Sequence, residues 1–514
     1  MIEDWARCSF EDLTISLKRG PFGGDLKKAF FVGQGIPVYE QYHAINNDFE
    51  NNRYFIDEDR YKLLKACNVG PGDYIVSCSG TMGKIARLPK NASHGIINQA
   101  LLRIRINEEI IGHNYFIQFF KSSLFRKKIL KDSRGSGMQN MAGIREIKPV
   151  KLNLPPLPIQ RAIVSKIECL FSSLDSGIAD LIKAQAQLKI YRQAVLKKAF
   201  EGELTKEWRE QQTDLPSAEE LLELISEERQ AYFNKQIKEW NANLRLWEEN
   251  GKVGKKPSKP KHLKDFKLSH EVKSDLPILS KEFLWLPIGN IFSDSPLNGI
   301  YKSSSEYGSG LPIIRIDNFY AGVISPSITF KRLRIRTEEI NKYQLRQGQV
   351  LINRVNSIDY LGKSGLVGQL DELTVFESNI MKLSLLENLI LPKFLVLFLT
   401  SVTGMKEIRR FAKHAVNQAS INQTDVSLTP LPFCSKGEQH QIVKEIESRL
   451  SVCDKVEKDI KDSLVKSTAL RQSILKKAFE GKLLTKEEIE KCKQEADYEP
   501  ASVLLERIKK EKVN

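Results

Sequence analysis

A thirteen-residue stretch occurs twice in this chain. Arg192 to Leu204 reads RQAVLKKAFEGEL and Arg471 to Leu483 reads RQSILKKAFEGKL, with ten of the thirteen positions identical at an offset of 279. Upstream at the same offset, Ile163-Val164 faces Ile442-Val443, Ile167 faces Ile446 and Leu181 faces Ile460. A repeat on this scale divides 514 residues into two halves, and whatever fold one half adopts the other must adopt too. With 41% hydrophobic residues, each half can bury its own core.

Both copies predict long helices. Ile167, Leu170, Leu174, Leu181, Leu188, Tyr191 and Val195 fall on positions a and d of a heptad, with Gly177 and Ala184 in the remaining d slots. The second copy puts Ile446, Cys453, Val456, Ile460, Leu470 and Ile474 on the same register, with polar lapses at Arg449, Ser463 and Ser467. A seam this narrow wants a partner helix, and the other copy is the obvious one; the alternative is an ordinary amphipathic helix on a globular core. The pairing would run for roughly 35 to 40 residues, a rod of roughly 55 to 60 Å.

The net charge of +15 points to a polyanionic partner, nucleic acid first. Seven cysteines, at 8, 67, 78, 169, 434, 453 and 492, show no CxxC pair, so they read as reduced thiols of a cytosolic protein. Met1 to Trp5 lacks the basic start and apolar run of a signal peptide. The most apolar stretch, Leu385 to Val402, is broken by Glu387, Asn388, Pro392 and Lys393 and cannot span a bilayer. A soluble, cytoplasmic chain is expected, with no membrane partner.

Residues 1–153 read as mixed α and β. A turn at Gly70-Pro71-Gly72 feeds an alternating strand through Ser77, and Ile96 to Ile104 holds another strand. One helical stretch from His113 to Lys131 carries Tyr115, Phe116, Phe119 and Phe120 on one side and Arg126-Lys127-Lys128 on the other. Leu154 to Pro158 is a proline stop that hands over to the spacer helix, residues 154–204.

Residues 283–430 repeat the plan. Trp285 stands for Trp5, Gly310-Leu311-Pro312 for the Gly35 turn, Gly348 to Asn353 for the Gly72 strand, Gly362 to Val367 for the Gly83 turn, and Ser378-Asn379-Ile380 for the Asn98 strand. Leu428 to Pro432 is the second stop, and Phe433 to Gly437 reads as a joint stretched by five residues before the second spacer helix, residues 431–484. Between the halves lie a charged helical connector, 205–250, whose Trp240 and Trp247 are one heptad apart, and a flexible basic linker, 251–282. A charged helical tail, 485–514, has a small apolar face and is expected to dock on the bundle or a partner.

Motifs for chemistry fail one after another. Gly362-Lys363-Ser364 suggests a phosphate loop, but Ser357 occupies the position of its first glycine; in the other copy Cys78 does so and Ile85 replaces the hydroxyl. There is no Asn-Pro-Pro-Tyr or Asp-Pro-Pro-Tyr, no GxGxxG after a strand, and the seven histidines are isolated. The sequence offers no catalytic residue and no metal site.

The twice-used Arg-Gln-x-[Val/Ile]-Leu-Lys-Lys-Ala-Phe-Glu-Gly-x-Leu ending, the proline stops, the glutamine near each helix start (Gln160, Gln439) and the Leu504 to Lys509 segment resemble the specificity subunit of type I DNA restriction-modification systems. The resemblance implies an α+β chain: two mixed α/β target recognition domains in pseudo-twofold arrangement, separated by a long antiparallel two-helix coiled coil. Ile167, Leu174, Leu181, Leu188, Val195, Ile446, Cys453, Ile460 and Ile474 would line that coil. Each domain would read one half of a split double-stranded DNA target while the helices set the spacer. Two modification subunits would hold S-adenosylmethionine, and restriction subunits would use ATP and Mg²⁺, leaving no cofactor on this chain and no catalysis of its own.

Base edges are read by Arg, Lys, Asn or Gln on loops, and phosphates by Lys and Arg. The candidates are Lys18, Arg19, Lys84, Arg134, Gln139 and Asn140 in the first domain. In the second they are Arg332, Arg334, Arg336, Arg354, Lys363, Asn417 and Gln418. Arg332, Arg334 and Arg336 alternate, which would set them on one face of a strand. Tyr39, Tyr42, Tyr307 and Tyr320 are candidates for stacking on bases, with core or rim packing as the competing role. Rival readings are a coiled-coil scaffold that never touches DNA, a nuclease subunit with an unrecognised site, and a methyltransferase, disfavoured by its missing motif.

Overall fold

A computed structural model describes residues 4–21, 23–131, 140–320, 322–416 and 418–511. The chain forms two compact units, Met1–Lys183 with Ile460–Asn514, and Ala184–Asp459. Each contains one mixed domain and a stretch of both long helices, Leu157–Phe200 and Lys436–Phe479, whose ends differ by the same 279 residues as the repeat.

The two domains share one topology. In the first, a four-stranded antiparallel sheet has the order Thr14–Arg19, Leu101–Ile106, Tyr74–Ser77, Ile85–Arg87. In the second the order is Leu297–Asn298, Ile380–Leu383, Val350–Asn353, Ser364–Leu366. Beside each lies a smaller sheet that contains one parallel pair, Val38 opposite Ile96 and Ile313 opposite Val375. A two-stranded antiparallel frame pairs the start of each domain with its end, Ala6–Ser9 with Lys151–Leu154 and Leu284–Pro287 with Pro430–Phe433. The Tyr74–Ser77 strand is buried along its whole length rather than alternating, because Tyr74 and Val76 enter one apolar cluster and Ile75 another.

A shared close approach shows how faithfully the scaffold repeats. Gly20 donates its N–H to Leu101 O and Gly299 to Ile380 O. A Cβ on Gly20 would lie 1.9 Å from the Asn98 carbonyl oxygen, and one on Gly299 would lie 2.2 Å from that of Glu377, so only glycine fits either place.

These registers correct several expectations. Leu284, not Trp285, occupies the place of Ala6, so Trp285 stands for Arg7 and the buried Phe283 for Trp5. Glu377 corresponds to Asn98, since Leu101 and Ile380 donate back to Asn98 O and Glu377 O respectively. The His113 to Lys131 stretch is two helices, His113–Lys121 and Ser123–Ile129. Ser122 ends the first by donating to Phe119 O at 2.6 Å and caps the second by accepting from Phe125 N–H. Ser401 breaks the second domain's helix in the same way, toward Phe398 O and from Gly404 N–H.

The supposed five-residue stretch at the second joint does not exist. Gln160 accepts from Gly112 N–H at 2.9 Å and donates to Ile110 O and Pro155 O. Gln439 accepts from Leu391 N–H at 2.9 Å and donates to Leu389 O and Cys434 O. All four positions keep the repeat offset, so Pro430 is the counterpart of Lys151 and the two joints between domain and helix are equal in length.

Within each unit the long helices run antiparallel. In the first, Arg471 pairs with Asp175 and lies over the Phe171 ring at 4.6 Å, while Ile163 and Ile167 share a cluster with Ile474, Leu475 and Phe479. In the second, Arg192 pairs with Asp454 at 2.7 Å and Glu457 at 2.9 Å, while Val195 and Phe200 share a cluster with Ile442 and Ile446. Ile167, Val195, Ile446, Cys453, Ile460 and Ile474 are buried, and Leu174, Leu181 and Leu188 are half-buried. The d positions Tyr191, Val456 and Leu470, assigned to the seam by the heptad, are exposed. Position e takes their place: Phe171, Ile178, Leu450 and Leu464 are half-buried, as are Arg192 and Arg471. A stripe spaced four then three serves a helix pair as well as one spaced three then four.

Each long helix is followed by an extension that folds onto its own unit. After Gly481 the tail packs Cys492, Ala501, Leu504, Leu505 and Ile508 into the first unit's core. There Tyr498 donates to Asp4 at 2.7 Å, and Arg161 pairs with Glu495 and Asp497. In the second unit, the buried Glu438 accepts from Thr205 Oγ1 at 2.6 Å and pairs with Arg209. Its other oxygen has no partner among the described residues, and burial pushes its pKa above the ordinary glutamate value. Helix Ala218–Glu249 then docks through Leu221, Ile225 and Arg229. The following segment, expected to be a flexible linker, lies back along that helix, with Trp240 and Trp247 donating to Pro257 O and Gly254 O. Among the described residues no helix is long and apolar enough to cross a membrane, and all seven cysteines are free.

Candidate nucleic-acid interface

The best candidate surface in each domain is the hairpin that follows the central buried strand. In the first domain Ser77 N–H donates to Lys84 O and Gly83 N–H to Ser77 O, both within 2.9 Å. The buried Ser77 hydroxyl fastens the turn by donating to Thr81 O at 2.6 Å. Gly83, at φ 70°, lets the chain re-enter the sheet and leaves Lys84 exposed. Gln41 reaches across to donate to Ser79 at 2.9 Å, so the rim of this tip is Gln41, Ser79, Thr81 and Lys84. Lys121 has a pKa lowered by burial and then by Lys84 and Arg471, so cations converge here.

The second domain repeats those two closing hydrogen bonds around a loop three residues longer and changes its chemistry. Asn353 N–H donates to Lys363 O at 2.8 Å, Gly362 N–H donates to Asn353 O at 2.9 Å, and Gly362 sits at φ 77°. Lys363, the counterpart of Lys84, lies between two rings, 3.8 Å from the centre of Tyr360 and 4.2 Å from that of Tyr320. Arg409 clamps the tip by donating to Leu361 O at 2.8 Å and Asp359 O at 3.0 Å. Burial, then Arg409, lowers the Lys363 pKa. Tyr320 and Tyr360 remain exposed, so the tip offers two aromatic faces with a positive charge between them.

The other candidates scatter. Arg354 is half-buried, donates to Ser378 O at 3.1 Å and has its pKa lowered by burial, which makes it a brace for the hairpin. Gln418 is exposed on the neighbouring strand Gln418–Ser420, opposite Ala415. Arg332, Arg334 and Arg336 do not share a strand face, because the strand covers only Lys331–Leu333 and Arg336 instead precedes a helix. Arg332 is tied to Glu372 and Arg334 to Ser309. Lys18 and Arg19 are half-buried on the edge strand of the main sheet. Asn140 begins a short strand paired with Lys131, and Arg134, Gln139 and Asn417 lie outside the described residues.

Of the tyrosines, Tyr39 is fully buried and donates to Ser93 O, Tyr307 is half-buried, and Tyr42 is exposed but bonded to Asp48. Only Tyr320 stands at a candidate tip. Tyr360, Arg409 and Gln41 were missed by sequence reasoning. Tyr360 was within reach of it, two residues before the glycine of a turn already matched between the halves. Arg409 and Gln41 come from distant segments and carry no local signal. Among the described residues no group of three or more His, Cys, Asp or Glu is arranged to hold a metal ion.

The sequence profile of the type I restriction modification DNA specificity domain matches residues 26–184 and again residues 296–466. The EcoKI specificity subunit of Escherichia coli K12 is 25% identical over 523 aligned residues, covering 99% of this chain and 96% of that protein. The StySPI specificity subunit of Salmonella potsdam is likewise 25% identical, with the same coverage. Among solved structures, the HsdS subunit of Thermoanaerobacter tengcongensis superposes with a TM-score of 0.51 at 15% identity, covering 94% of this chain and 98% of its own. A chain from a structure of type I R-M system assembly and conformational transition gives 0.59 at 15% identity, covering 93% and 98%. Those two likenesses are of fold. With a duplicated domain, a duplicated helix and a profile matched in both halves, the chain belongs to the type I restriction-modification DNA specificity family.

Proposed function

We infer that this chain is the non-catalytic, DNA-reading specificity subunit of a type I restriction-modification complex acting in the cytoplasm. Each domain reads one half of a bipartite duplex target, and the paired helices set the spacer between the halves. The observation that carries this reading is one scaffold with two unlike tips: Lys84 with Gln41, Ser79 and Thr81 in one copy, and Lys363 between Tyr320 and Tyr360 in the other. A repeated sheet scaffold with tips changed in length and chemistry is what two readers of different sequences require. Modification subunits bring S-adenosylmethionine to the complex, and restriction subunits bring ATP and Mg²⁺ chemistry.

DNA presents the same face every roughly 34 to 36 Å, so a fixed separation between readers selects a fixed spacer. Sequencing methylated positions in DNA from cells carrying the chain and its partner subunits tests this. Inserting four residues into both long helices is expected to change the spacer and keep both half-sites. A changed half-site with an unchanged spacer overturns the reading.

A further inference from the structure

The segment after helix Ala218–Glu249 is held rather than loose. Phe233, Trp240 and Trp247 stand seven residues apart on that helix, and the returning chain meets each in turn. The Trp247 indole donates to Gly254 O at 3.2 Å, the Trp240 indole donates to Pro257 O at 3.1 Å, and the Phe233 ring meets His262 at 5.0 Å. Arg229, buried at the base, donates to Leu263 O at 2.9 Å and Asn290 O at 3.1 Å and pairs with Asp265 at 2.9 Å. Lys256 and Lys259 lie 5.9 and 5.8 Å from the Trp247 and Trp240 ring centres.

This strap carries Lys252, Lys255, Lys256, Lys259, Lys261, Lys264 and Lys267, all exposed, against one carboxylate, Asp265. Among the described residues Asp265 is committed to Arg229, and none of these lysines has an ion-pair partner. Seven unneutralised ammonium groups fixed on an ordered backbone repel one another, and a polyanion relieves that repulsion. Protein interfaces are depleted in lysine at their cores, whereas phosphate contacts favour it irrespective of sequence.

We propose that the strap from Lys252 to Lys267 is a phosphate-binding rail: a sequence-independent DNA contact in the second unit, separate from the hairpin tips. The proposal rests on the reading of the chain as a DNA-binding subunit. The indole-to-carbonyl bonds hold the lysines in place, so that little chain entropy is lost when DNA arrives.

The test uses the full chain assembled with its modification subunits and compares the parent with K255Q/K256Q/K259Q/K261Q. Binding to a duplex carrying the methylated target and to a scrambled duplex is followed across salt concentrations. Every substituted residue is exposed, so folding is preserved, and unfolding midpoints check it. The slope of log affinity against log salt is expected to become shallower by about 0.9 for each phosphate that the strap no longer neutralises. Both duplexes should lose affinity by the same factor, leaving the preference between them unchanged. W240L/W247L, which keeps every charge but frees the strap, is expected to weaken both duplexes in the same uniform way. Unchanged slopes with preference retained overturn the rail and leave the specificity reading intact; a lysine variant that folds but no longer assembles with the modification subunits reassigns the strap to a protein partner and also overturns it. A parent complex that prefers no duplex over another overturns the specificity reading itself.

Discussion

Gln160 and Gln439 each bridge a domain to the start of a long helix with three hydrogen bonds made almost wholly out of contact with water. Removing the amide strands one N–H and two carbonyls in the interior, where an unmet polar group costs about 1–3 kcal/mol. Gln160→Leu is therefore expected to destabilise the first unit by about 2–4 kcal/mol in denaturant titrations. Gln160→Glu should be worse near neutral pH, since a carboxylate cannot donate to Ile110 O and Pro155 O. Glu438, which occupies the position of Ile159, makes a second test. Its folded pKa is raised by burial above the ordinary 4.5, so at a pH between the two the folded state binds more of the proton than the unfolded chain does. By linkage its contribution is complete below that value and is lost as pH rises through the raised one. Comparing urea midpoints from acid to neutral pH, Glu438→Gln should remove that component of the decline, and identical pH profiles for parent and variant would refute it.

Among the elements, the paired helices are where sequence and structure differ most instructively. The a positions are covered, but the d positions are largely open, and ion pairs at position e, Arg192 with Asp454 and Arg471 with Asp175, close the other side. Truncating Ile167 or Ile446 to alanine, each with no exposed surface, is expected to cost about 2–5 kcal/mol. Val456→Ala and Leu470→Ala, at 39% and 50% exposure, should stay within about 0.5 kcal/mol. Equal losses at the a and d sites would restore the a/d seam. The ion pairs are partly solvated, and each is worth about 0–1 kcal/mol, so they fix orientation and register more than they stabilise.

Across the whole molecule, the two units do not follow one another along the chain as a two-domain tandem would: the first is assembled from both ends, and only the second is a continuous piece. The first takes its amino-terminal domain and the carboxyl-terminal tail together, and the second takes everything between. The tail's Ala501, Leu504, Leu505 and Ile508 are part of the first unit's core, at about 1.5–3 kcal/mol for each large side chain buried. Deleting residues 501–511 is expected to lower the thermal transition of the first unit and leave that of the second in place. Calorimetry with limited proteolysis would resolve the two, and a common shift of both transitions would contradict it.

The repeat, the helix lengths and the turns at Gly35, Gly72, Gly83, Gly310, Gly348 and Gly362 were legible in the letters because each depends on local backbone demands that a sequence states directly. The same holds for the family. Register was less legible: Trp285 invited alignment with Trp5, and the prolines at 430 and 432 imitated those at 155, 156 and 158, because identity of residue type outweighed pairing partners that only a sheet reveals. The candidate tips were legible in Lys84 and Lys363, which adjoin a glycine turn, and in Tyr320 as a residue though not in its place. What surrounds them, Gln41 on one side and Tyr320, Tyr360 and Arg409 on the other, was decided by tertiary packing. So was the fate of the 251–282 segment, whose composition reads as a loose tether until two indole donors on a helix find its carbonyls. Local geometry is written in neighbouring residues; contacts between distant segments follow only once both have a place in three dimensions.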